Sequence, residues 1–331
     1  MIKVNLVAAD NSKKSGILLD KFERQQATHE ILALANLSDI DLIQNDLNIG
    51  DFPLLSLRCI SSVLKVSSNK AKHDNEKLNP EYSLKRVGIT PITCDEINLF
   101  ITGVSLIDGK FSSAWINSVS RFLGGCDFAE YDLPLLNEHK SSCLAAYRIL
   151  ESAGVGIEII QRNSGVLIPF PCKSPESGSG TSRALPGVLM LPTGVPDLMY
   201  AECWLHECLH TELLLAEWAT GEELAKCDQN LVTPWRTVNR SANLLLHGCF
   251  VFVHLVTFMQ KMSESYRMIP TEWELSAAKG KRILICDIDE VISFRISQVQ
   301  DAMSTLNSYA TLSKLGQRAV EVINKKLSEL N

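Results

Sequence analysis

Paired cysteines, surplus basic charge, internal repeats and long lipophilic runs are all missing from this 331-residue chain. None of its ten cysteines are spaced Cys-x-x-Cys. That removes zinc-ribbon and thioredoxin-like patterns and leaves reduced thiols and a cytoplasmic setting as the expectation. Lys and Arg total 32 against 38 Asp and Glu, a formal net charge of −6. A nucleic-acid surface needs the opposite balance, so no nucleic-acid partner is expected. The most apolar run, Leu244 to Met259, holds two histidines and falls short of the ~20 residues that span a bilayer. Met1-Ile2-Lys3-Val4-Asn5 lacks the layout of a signal peptide, so no membrane association is expected either. What is present, 46% hydrophobic and 21% charged residues, suits a folded globular protein with an ample core.

Hydrophobic spacing predicts a mainly α-helical α+β protein in two regions. Residues 1–150 read as mostly helical, with apolar residues at helical spacing over 15–37 and again from His139 to Ala153. The polar stretch 67–80 between them reads as a loop. Residues 151–331 hold short strands and the chemistry. Gly156 to Ile160, Val166 to Phe170 and Val188 to Leu191 have strand character. Pro171 to Pro186, rich in Ser, Gly and Pro, is placed to serve as a lid or a plain surface excursion. A long helix follows, then Thr220-Gly221-Glu222-Glu223 with the spacing of a capping box and a short helix. A second long helix runs from about Ser241 to Met262, and 287–330 is again mainly helical.

Within the first long helix lies His206-Glu207-Cys208-Leu209-His210, an HExxH sequence. Residues four apart stand about 40° apart around a helix and one turn apart along it, so both imidazoles can serve one metal ion. Glu207 flanks them, near enough to act on a metal-bound water or to orient a ligand. Pro196 precedes Asp197, a candidate N-cap, and Gly221 is the helix breaker. Cys203 and Cys208 read as small core fillers rather than ligands. The motif is the zinc-peptidase signature, but by itself it specifies a metal site and not a reaction.

Two histidines leave a metal under-coordinated. His247 sits in an apolar helix beside Gly248, which has no side chain to block close approach of another helix or a substrate. It is either a core imidazole with a hydrogen-bond partner or the third ligand. His254, seven residues on, is a weaker alternative. The metzincin extension is absent, since Leu213 and Ala216 stand where Gly and His would be needed. A third-ligand carboxylate would have to be Glu264, Glu272 or Glu274, none marked by its surroundings. Thr233-Pro234-Trp235-Arg236 lies between the two helices. A planar guanidinium held by Pro and Trp suits bidentate capture of a carboxylate, which makes Arg236, with Arg240 as its substitute, the candidate clamp.

Several segments together resemble the HEXXH-motif proteins of ribosomal natural-product gene clusters, some of which are iron(II)- and 2-oxoglutarate-dependent peptide β-hydroxylases. They are Leu185-Pro186-Gly187-Val188-Leu189-Met190-Leu191, Leu205-His206-Glu207-Cys208-Leu209-His210, Thr233-Pro234-Trp235-Arg236, Leu246-His247-Gly248-Cys249-Phe250-Val251-Phe252 and Leu312-Ser313-Lys314-Leu315-Gly316. The likeness covers residues 150 to 320. It implies His206, His210 and His247 as iron ligands, 2-oxoglutarate as co-substrate and a ribosomally made precursor peptide as partner. Three imidazoles would parallel the two-His, one-carboxylate oxygenases and leave three positions open. Their nitrogens are then expected within about 3–4 Å of one another, around a point roughly 2 Å from each. Glu207 becomes an orienting group or proton acceptor. Read instead as a zinc peptidase or amidase, the chain would use Glu207 to activate water. A non-catalytic partner of a peptide-modifying complex is the third reading.

One further pattern, Ile283 to Val291 with Asp287, Asp289 and Glu290, imitates the nucleophile motif of haloacid-dehalogenase-type phosphatases. Too little chain follows it to build that catalytic domain. These carboxylates are expected to start a helix.

Overall fold

The computed structural model describes Leu18 and residues 89–94, 97–102, 133–164, 166–171, 179–182, 185–236, 238–265, 273–276, 282–285 and 287–330. Over these residues the chain is a mainly helical α+β fold, as anticipated. Strands β1 (Ile89–Cys94) and β2 (Ile97–Thr102) form an antiparallel pair. β2 runs parallel to β3 (Val166–Pro171), and β3 parallel to β5 (Leu185–Thr193). The short β4 (Gly180–Ser182) closes the edge antiparallel to β5, giving the order β1-β2-β3-β5-β4. Leu189, Met190 and Leu191 are buried at successive positions, so both faces of β5 are covered. That accounts for its unbroken apolar run.

Two of the three anticipated strands are β3 and β5; Gly156 to Ile160 is not a strand. Gly156, at φ 87°, turns the chain into a helix, α2 (Ile157–Asn163), which follows α1 (Leu133–Ser152). Its buried residues Ile159, Ile160 and Asn163 follow helical spacing. The β-branched run misleads because packing against the histidine helix, not local propensity, decides its form. In the region up to residue 150, α1 matches the expected helix, but β1 and β2 are strands where helix was anticipated. Apart from Leu18, the helical reading of 15–37 lies outside the described residues, as does the loop 67–80.

From β5 the chain passes through Gly194 and Pro196 into α3 (Asp197–Thr220), which carries the HExxH sequence. Pro196 occupies the N-cap, and Asp197 falls one position later, in the first turn. Its carboxylate there still favours the positive helix end. Gly221, at φ 67°, ends the helix with its N–H on the Glu217 carbonyl. The short helix anticipated after it is not formed. Glu222 N–H does reach Thr220 Oγ1 at 3.3 Å. The next donors, Leu224 and Ala225 N–H, go instead to Asn243 Oδ1 at 2.8 and 3.3 Å. The chain extends into β6 (Ala225–Lys226), which pairs with β9 (Thr311–Leu312).

The remaining helices are α4 (Ala242–Ser265), α5 (Ile288–Tyr309) and α6 (Lys314–Leu330). α4 is central, packed against α3, α5 and α6. Leu245, Leu246, Phe250, Val251, Val253, Val256 and Phe258 are buried around its circumference, which explains an apolar helix with almost no polar face. Each such side chain contributes roughly 1.5–3 kcal/mol. The apolar stretch is longer than its most apolar run: Ala242–Ser263, 22 residues at mean hydropathy 1.7, is long and apolar enough to cross a membrane. In this fold 89% of its apolar window is buried. The hairpin β7 (Trp273–Ser276) and β8 (Arg282–Ile285) precedes α5. Asp287 is the α5 N-cap, accepting from Asp289 N–H at 2.8 Å, so the phosphatase-like acids do start a helix.

Candidate metal centre

Three imidazoles meet between α3 and α4. His206 and His210, one turn apart on α3, have ring centroids 4.8 Å apart, edge to face. His247, on α4, lies nearly parallel to His210 at 5.7 Å. The His206 ring also meets the Phe252 ring at 5.8 Å, and Phe252 in turn tilts against Trp235 at 4.9 Å. Trp235 is seated on Gly248, where a Cβ would run into the indole at Cζ2. The missing side chain beside His247 therefore admits an indole from the turn between the two helices.

His247 has a carboxylate behind it that the sequence reading missed. Its Nε2 lies 3.1 Å from Oε1 of Glu217, and Asn243 Nδ2 donates to the same oxygen at 2.7 Å. Glu217 and His247 are 1% and 3% exposed in their side chains, so this pair is dry. The signal was there in retrospect: Glu217 stands seven residues beyond His210, nearly on the same face of the helix. Of the carboxylates weighed as third ligands, Glu264 is in the last turns of α4 and Glu274 on β7; Glu272 lies outside the described residues.

Glu207 is buried, and Ser179 donates to its Oε1 at 2.7 Å. Burial pushes its pKa up to about 7, against the opposing pull of the Ser179 hydroxyl and the Arg236 charge. Ser179 lies within Pro171 to Pro186, so that stretch reaches the site at this residue. Burial holds His206 down at about 3, with the charges of Arg295 and Arg236 acting the same way. The ring still keeps 26% of its side-chain surface open. His210 is held well below the usual value by burial, then by His206, His247 and Arg236. Both imidazoles are neutral near pH 7, the form a metal ion requires.

Arg236 is exposed as a residue, yet its charge registers at His206, Glu207 and His210. Surrounding protein lowers its own pKa. Its guanidinium is therefore within electrostatic reach of the histidines, on an exposed residue. Arg240 is half-buried, tied through its backbone to Leu231 in a β-bridge. A second arginine, Arg295 on α5, was not singled out from the sequence. It is 8% exposed, lies 4.4 Å over the Phe252 ring, and bonds Gln298 Oε1 through Nη1 at 3.2 Å. Its signal was a charged residue on an otherwise apolar stripe, with Val291 before it and Val299 and Ala302 after.

His254 is not part of the cluster. Its Nδ1 lies 2.7 Å from the Phe250 carbonyl oxygen, its ring packs on Phe250, and the charge of Lys326 on α6 reaches it. Cys208 pairs with Ser164 at 3.0 Å, which also accepts from Trp204, a core contact as expected.

In donor chemistry the imidazole trio fits a metal ion: His206 and His210 are neutral and adjacent, and a carboxylate holds the third ring. The atoms are not gathered as a finished cage, since no group of three His, Cys, Asp or Glu among the described residues surrounds a common point. The expected convergence of three nitrogens within 3–4 Å is therefore not met by the rings as placed. The physical reason is His247, whose Nε2 is committed to Glu217, leaving Nδ1 as its only free donor. In comparisons with known proteins, the chain matches no protein-family model and no curated protein.

Proposed function

We propose that this protein is an iron(II)- and 2-oxoglutarate-dependent hydroxylase acting on a side-chain β-carbon of a ribosomally made precursor peptide, in the cytoplasm. The observation that carries the reading is the meeting of His206, His210 and His247 between two helices, with Glu217 behind the third ring. Supporting it, the segments that bear the family likeness adjoin one another. β5 feeds α3, Trp235 sits on Gly248, and Ser313 N–H bonds the Leu224 carbonyl at 3.0 Å, bracing the loop after α3.

His206 and His210 would hold the metal on one side and His247, through Nδ1, on the other. Glu217 would keep the His247 ring oriented and raise its basicity, the usual service of a carboxylate behind a ligating imidazole. Bound there, iron(II) with a 2-oxo acid and O₂ supplies the oxidising power that turns a C–H bond into C–OH. Glu207 would hold or release a proton beside the site, poised by Ser179. Arg236, with Arg240 behind it, would draw the anionic co-substrate to the mouth.

A zinc peptidase or amidase is the second reading, favoured by one observation: Glu207 titrates near pH 7, where a general base for water activation works best. Anaerobic reconstitution separates the two. Iron(II) should support succinate formation from 2-oxoglutarate, raised by a substrate peptide, whereas zinc should not. Peptide cleavage with zinc and without any oxo acid would overturn the first reading and establish the second.

A further inference from the structure

We propose that Arg295 and Gln298 form a carboxylate-binding site beside His206, built to take a small organic acid. In naming that acid as the 2-oxo acid co-substrate, the proposal rests on the hydroxylase reading; the anion site itself does not. Arg295 projects from α5 into the wall of the metal site and is 8% exposed. Its guanidinium lies over the face of Phe252, whose edge-to-face neighbour is His206. Gln298, one turn on, accepts from Nη1 and donates through Nε2 to the Pro234 carbonyl at 2.8 Å. That ties the arginine to the turn carrying Trp235 and Arg236. The head group is thus held from one side and from one face.

The Nε side is not satisfied. Arg295 Nε is buried and has no hydrogen-bond partner. No ion pair to Arg295 is present among the described residues. Glu202 on α3 feels its charge, but the two do not pair. Arginine cannot shed its proton to escape burial, so a dry guanidinium with an unmet N–H is destabilising. A planar anion meeting that side in two parallel hydrogen bonds would remove that cost. One buried cation within reach of the Glu202 carboxyl matches a singly charged carboxylate end better than a doubly charged phosphate. Phe252 covers one face of the guanidinium, and Trp235 and His206 pack against that same ring. Arg236, exposed and within electrostatic reach of the histidines, is the steering charge; Arg295 is the anchor.

The test uses the metal-free full-length protein titrated with glutarate, followed by calorimetry and thermal melting, so that iron chemistry does not enter. Glutarate should bind and raise the melting temperature of the wild type. Arg295→Gln should weaken that binding at least about tenfold, the scale of one charge-assisted pair, while Arg236→Gln weakens it only a few-fold. Arg295→Lys keeps the charge and loses the fork; it should fall between, and it stands in should the glutamine variant not fold. Absence of glutarate binding by the wild type, glutarate binding unchanged in both Arg295 variants, or equally tight Arg295-dependent binding of inorganic phosphate would each overturn the site. Arg295-dependent glutarate binding without iron-dependent consumption of 2-oxoglutarate would keep it while removing the hydroxylase reading.

Discussion

His139 and His206 lie in one helical core, and burial holds both near pKa 3, yet their surroundings differ in kind. His139, on α1, faces the Tyr200 hydroxyl at 3.3 Å and Cys143, which itself bonds Tyr200 at 2.9 Å. Burial pushes the Cys143 thiol up to about 12 and the Tyr200 phenol well above its usual range, so every member stays neutral. Around His206 stand a second imidazole, a carboxyl titrating near 7 and two arginines whose charges reach it. A buried histidine alone therefore marks nothing. What distinguishes a site is charge left unbalanced in a dry place, which a fold tolerates only where something else is meant to bind.

The sharpest way to break this comparison is to delete one ring from each cluster. His210→Ala should abolish iron(II) binding, measured by metal retention after anaerobic gel filtration, with modest effect on urea unfolding. His139→Ala should do the reverse, keeping metal while losing about 2–4 kcal/mol of stability to a cavity and broken bonds. Metal retained in the His210 variant would erase the distinction.

Acid should expose the neutral imidazoles next. His139 and His254 are each held at about 3 when folded, against 6.5 when free. Above pH 6.5 neither state takes up a proton, so neither ring makes stability depend on pH. Between 6.5 and 3 only the unfolded chain is protonated, so stability falls with falling pH by up to about 1.4 kcal/mol per unit per ring. Urea melts at pH 7 and pH 5, compared between the wild type and the His139→Ala and His254→Ala variants, check this; the same pH dependence in a variant as in the wild type would mean that its ring is charged or solvated in the folded state.

Glu217→Gln probes the third ring without emptying its place. Losing the carboxylate behind His247 should cost about 10–100-fold in iron affinity, read by competition with a chelator. An unchanged affinity would place Glu217 in the core, alongside the His139 cluster. The smallest effect belongs to Gly248→Ala, where a methyl meets the Trp235 indole. Overpacking there should cost about 1–3 kcal/mol and shift the indole's fluorescence, and a silent substitution would show the seat to be loose.

The sequence by itself determined the elements whose signal is local. HExxH spacing put His206 and His210 on one face, Gly221 ended their helix, and the apolar periodicity of α4 and the strands β3 and β5 were legible from neighbours a few residues apart. The tertiary structure decided whatever depended on distant partners. Gly156 to Ile160 became helix by packing on α3. The segment after Gly221 became strand because Asn243, some twenty residues on, took its N–H groups. Ser179 on Glu207, Glu217 on His247 and Arg295 over Phe252 join segments whose separation carries no periodic trace. A side chain's chemistry is written in the sequence, but its burial and the charges facing it arise only when the helices close on one another, and those set its protonation and its use.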